Sequence, residues 1–113
     1  MNKLELIIKA LSEKQAQDIV AMDMEQVSPM FDTFVICSVS NIRLMQAIID
    51  HVEEKLEEHG IFAKNIEGKK DSHWILLDYG DIVIHVFEEE ERNKYLLEKL
   101  WSDVPHIDIA SYL

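Results

Sequence analysis

The sequence predicts an α/β fold: one domain over residues 1–113, with a mixed sheet of about five strands flanked by helices. Three observations carry that reading. Apolar residues recur at helical spacing in two segments, two other stretches are rich in β-branched and aromatic residues, and a strand, a helix and a strand follow one another mid-chain. A length of 113 residues supports one hydrophobic core and not two.

Leu4, Leu6, Ile7, Ile8 and Leu11 share one helical face, so residues 2 to 12 are expected to form an amphipathic helix. Gln17 to Met24 alternates around Ile19, Val20 and Met22 as a strand, and Ser28-Pro29 interrupts it. Phe31 to Val39 (FDTFVICSV) is apolar enough to be buried on both faces, which marks a central strand. Ser40 and Asn41 suit a helix start because their side-chain oxygens accept from first-turn amides. Met45, Ile48, Ile49, Val52 and Leu56 then form a helical stripe that Gly60 ends as a left-handed cap. Glu53, Glu54, Glu57 and Glu58 lie mostly off that stripe as a solvated face.

Ile61 to Ile66 is a short strand candidate, and its place after a strand and a helix implies a right-handed parallel crossover. Beyond a polar turn, WILLDYGDIVIHVF (Trp74 to Phe87) reads as two strands joined at Tyr79-Gly80. Glu88 to Trp101 closes the domain as a helix.

Composition excludes several function classes. Apolar residues make up 48% and charged residues 29%, a globular balance, and no apolar run approaches the ~20 residues needed to span a bilayer. No signal-peptide pattern opens the chain, so a cytoplasmic protein is expected. The net charge of −11 repels phosphate backbones and attracts basic proteins. Cys37, the one cysteine, sits in an apolar run and reads as a small buried hydrophobe.

Three candidate sites emerge. Asp78, Asp81 and His85 are the residue types of an acid and base pair or a metal centre. However, His85 lies four residues beyond Asp81, roughly 13 Å along an extended strand. Turn chemistry accounts for the aspartates without catalysis, because they accept from turn amides while Gly80 supplies positive φ. The second candidate is Ser38-Val39-Ser40-Asn41 with Arg43, a helix start that can bind phosphate; it lacks a glycine-rich loop, and capping explains its residues. The third is an interaction face, since Trp74, Tyr79, His85, Phe87, Tyr95 and Trp101 cluster beside carboxylates, as at the centre and rim of protein interfaces.

The segments WILLDYGDIVIHVF and RNKYLLEKLWSDVP resemble the ribosomal silencing factor family, also called Iojap-like. The family pattern falls on Trp74, Leu77, Asp78, Tyr79, Gly80, Asp81, His85, Val86, Phe87, Arg92, Tyr95, Leu97, Glu98, Lys99, Leu100, Trp101, Asp103 and Pro105. Upstream, KQAQDIVAMDM and FDTFVICSVSN extend the likeness, while Ile42 and Leu96 depart from it. The resemblance implies a nucleotidyltransferase-like fold without the transferase site, whose Gly-Ser turn and Asp-x-Asp pair are missing here. It also implies a translation repressor that contacts a ribosomal protein on the joining face of the large ribosomal subunit and blocks the small subunit, with no cofactor, metal or catalysis.

The expected partner-binding residues are Trp74, Leu76, Asp78, Tyr79, Asp81, His85 and Phe87. Strand alternation prevents all seven from sharing one face. A residual nucleotide- or metal-dependent enzyme is the alternative, and a homodimer paired through exposed strand edges is a third reading.

Overall fold

The computed structural model describes residues 2–27, 29–68, 72–95 and 104–113, without the side chains of 93–95. Its elements in chain order are α1 (Lys3–Glu13), β1 (Gln17–Asp23), β2 (Thr33–Val39), α2 (Ile42–Glu57), β3 (Asn65–Glu67), β4 (Trp74–Asp78), β5 (Ile82–Glu88), α3 (Glu89–Tyr95) and β6 (His106–Ile107). Among the described residues, six strands form one mixed sheet in the order β3-β4-β5-β2-β1-β6.

The expected α/β architecture is present, with one strand more than expected. The addition, β6, is two residues long and pairs antiparallel with β1 through Ala21 and Met22, too short to leave a sequence pattern. A second difference concerns the crossover. The parallel neighbour of β2 is β5, in the register Phe34↔Val83 and Ile36↔His85. The chain after α2 instead forms the short β3, starting at Asn65 rather than Ile61, at the sheet edge and antiparallel to β4. All three β3 residues are exposed, so no apolar signal marked where it pairs. The closing helix runs from Glu89 to Tyr95; the rest of the expected helix, through Trp101, lies outside the described residues.

Capping chemistry sets the helix starts. Asn41 Oδ1 accepts from the Leu44 amide at 2.8 Å, and Asn2 Oδ1 accepts from Glu5 in the same way. After α2, Gly60 takes φ +73° and the Ile61 amide returns to the Leu56 carbonyl, as a left-handed cap does.

Alternation along the strands divides the core into two layers. On one face, Val35, Cys37, Val39, Ile75, Leu77, Ile82, Ile84 and Val86 pack against the apolar stripes of α1 and α2. On the other, Met22, Met24, Ile36, Phe87 and Val104 form a smaller cluster edged by Val20, Phe31, Phe34 and Trp74. Cys37 is buried, as its apolar context predicted, and that burial pushes its thiol up to about 12. Arg92 spans the end of the sheet, donating to the Asp18 carbonyl at 2.6 Å and to Ser38 Oγ at 3.3 Å. It thereby holds the β1 bulge, where Asp18 adopts φ +50°. No helix among the described residues is long and apolar enough to cross a membrane.

Candidate partner-docking face

The antiparallel register of β4 and β5 decides which of the seven expected residues meet. Trp74 lies opposite Phe87, Leu76 opposite His85, and Asp78 opposite Val83. Trp74, Leu76, Asp78, His85 and Phe87 therefore share the sheet face that lies away from α1 and α2. Tyr79 and Asp81 do not join them.

Tyr79 is 3% exposed and packs into the helix-side core, so it cannot serve as one of the expected partner-binding residues. Its phenol is pushed up to about 12 by burial, reinforced by the Glu53 and Glu57 carboxylates. Asp81 is engaged by α1: Lys3 Nζ donates to Asp81 Oδ1 at 2.7 Å and to the Tyr79 carbonyl at 3.1 Å. That bond holds the Asp81 carboxyl below the ordinary carboxylate range. Asp78 does what turn chemistry requires, since its Oδ1 accepts from the Gly80 amide at 2.8 Å while Gly80 adopts φ +91°. The two aspartates thus hold a turn and a helix in place. Among the described residues, no group of three or more His, Cys, Asp or Glu side chains is arranged to hold a metal ion.

His85 is 5% exposed and sits among rings. Phe34 meets it edge-on with centroids 4.8 Å apart, and the Trp74 indole N–H donates to its Nδ1 at 3.1 Å. Burial pushes its pKa down to about 4, so the imidazole is neutral at physiological pH. Phe87, 1% exposed under the Trp74 ring at 4.8 Å, supports the face from below and cannot itself touch a partner.

Beside these residues the surface opens into a groove of about 250 Å³, with Leu76, Val83 and His85 along its floor, Met30, Phe31 and Phe34 on one wall, and Glu67 and Asp78 on the rim. Met30, Phe31 and Phe34 were absent from the expected set. Met30 is 82% exposed, an unusual position for a large apolar side chain, and Phe31 stacks on Phe34 at 4.6 Å. Strand alternation puts Phe34 on the same face as Ile36, but only the long-range pairing of β2 with β5 brings it to His85.

At the phosphate candidate, two of the residues have structural partners. Asn41 caps α2, and Ser38 Oγ donates to the Gln17 carbonyl while accepting from Arg92. Of the rings that extended the interface reading, the Trp101 ring and the Tyr95 side chain lie outside the described residues.

The chain is thus a mixed-sheet α/β domain with one helix-covered face and one ring-lined, acid-rimmed face. A family model described as ribosomal silencing factor during starvation matches residues 1–112. A ribosomal silencing factor of Bacillus subtilis is 42% identical over 106 residues, covering 94% of this chain and 90% of that protein. A crystal structure from Bacillus halodurans superposes with a TM-score of 0.82 at 38% identity, covering 93% of this chain and 95% of that one. Another, from Chromobacterium violaceum, gives a TM-score of 0.83 at 30% identity, covering 90% and 88%. The chain belongs to the ribosomal silencing factor family.

Proposed function

We propose that this protein represses translation by docking on the large ribosomal subunit, through a basic ribosomal protein on its joining face, and excluding the small subunit by bulk. The observation that carries this reading is the groove face, where half-buried Trp74, Leu76, Phe31 and Phe34 and exposed Met30 adjoin the carboxylates of Asp78 and Glu67. Half-buried rings inside a charged border are the pattern of an interface centre and rim. Blocking by bulk requires no bond making, which suits a hairpin whose aspartates serve the turn and α1.

Of the original seven, Trp74, Leu76, Asp78 and His85 remain as the docking set, joined by Met30, Phe31 and Phe34. Phe87 supports them, whereas Tyr79 and Asp81 act by shaping the turn. The factor works in the cytoplasm, where subunits join.

Co-sedimentation with purified large subunits tests the reading, together with light scattering of subunit joining. Trp74→Ala should weaken binding by about tenfold or more, as truncating an interface anchor does, and should restore joining. Equal binding of wild type, Trp74→Ala and Asp78→Arg would place the contact elsewhere.

A further inference from the structure

The ring network around His85 fixes the position of its proton. An indole N–H only donates, so Nδ1, which receives the Trp74 bond, must carry a lone pair. The proton of the neutral ring is therefore on Nε2. That atom is closed off from solvent and has no hydrogen-bond partner among the described residues. Buried donors are nearly always satisfied, so an unpaired Nε2–H is a position that calls for an acceptor.

We infer that the groove receives a basic protein segment that places a backbone carbonyl oxygen against His85 Nε2 while its Lys or Arg side chains meet Asp78 and Glu67. This inference deepens the docking reading and rests on it. An N–H calls for an acceptor, and the rim determines which kind. A carboxylate or phosphate would enter beside two carboxylates of like charge, whereas a carbonyl is neutral and belongs to every peptide segment. The cations that suit the rim must then come from side chains flanking that carbonyl. A groove of about 250 Å³ accommodates a short stretch of chain. His85 lines that groove, and Nε2 becomes reachable when neighbouring side chains of its lining shift, a rotamer change of the kind common at interfaces.

The test uses the intact protein and purified large subunits in a co-sedimentation titration. Trp74→Phe removes the indole donor and keeps an aromatic ring, and it serves as the reference; adding His85→Phe to it then removes the Nε2 donor while keeping a flat ring. The double variant should bind at least tenfold more weakly than Trp74→Phe, with unchanged near-ultraviolet circular dichroism; binding within twofold would overturn the inference. Should the double variant unfold, His85→Gln and His85→Asn decide in its place. Gln sets an amide N–H near the Nε2 position and Asn near Nδ1, so a tenfold advantage for Gln supports the inference and equal binding overturns it. If wild type fails to sediment with large subunits, the docking reading falls and takes this inference with it; if wild type binds and the variants do not differ, this inference falls alone.

Discussion

His85 is the residue on which burial, tautomer and face converge. Its folded pKa of about 4 lies below the ordinary 6.5, so between those values the unfolded chain binds more protons than the folded one. Stability contributed by the neutral ring is therefore complete above the unfolded pKa and is lost as pH falls toward 4, by about 3 kcal/mol in total. Urea unfolding of wild type and His85→Phe at pH 7, 5.5 and 4 measures this. The stability of wild type relative to the variant should decline by about that amount across the series, whereas a constant difference would mean that the histidine titrates normally in the folded protein. Gly80 shows a different constraint at the same scale. A Cβ there would stand 3.4 Å from Lys64 Cε, a contact that a flexible side chain tolerates, so the residue is demanded by φ +91° rather than by space.

At the scale of elements, α2 links the capping chemistry to the core. Its N-cap bond from Leu44 to Asn41 is exposed and local, whereas its stripe from Met45 to Leu56 is fully packed under the sheet. Asn41→Ala should cost about 1 kcal/mol in urea unfolding and leave large-subunit affinity unchanged. A loss of affinity at constant stability would assign the helix start to binding, as the phosphate reading requires. The β4–β5 pair works differently, because its turn is bonded to α1 through Lys3 and so fixes the hairpin against the helix layer. One face of that hairpin is committed to the helix-side core, and the opposite face carries Trp74, Leu76, Asp78, His85 and Phe87.

For the whole molecule, the net charge of −11 acts over distances that no single contact reaches. Association with a basic partner should accelerate at low salt and slow as ionic strength rises, with dissociation changing less. Stopped-flow association between 50 and 300 mM salt checks this, with Glu67→Lys/Asp78→Lys expected to flatten the slope. A salt-independent rate would assign recognition to the apolar groove alone.

Much of this protein is written in local pattern. The two helix stripes, the buried β2 run, the Asn41 cap, the Gly80 turn and the placement of His85 on the face opposite Ile84 and Val86 follow from spacing and side-chain chemistry within a few residues. The family, too, is legible in WILLDYGDIVIHVF and its downstream partner segment. What tertiary structure alone decided is whatever depends on contacts far apart in the chain. The β2–β5 register set Phe34 beside His85, and the docking of α1 drew Asp81 to Lys3. The helix-side core enclosed Tyr79, while β3 went to the edge instead of beside β2. A strand's sequence states which side chains share a face, but the partner strand and its register determine what that face meets, because pairing is a free-energy balance over the whole sheet.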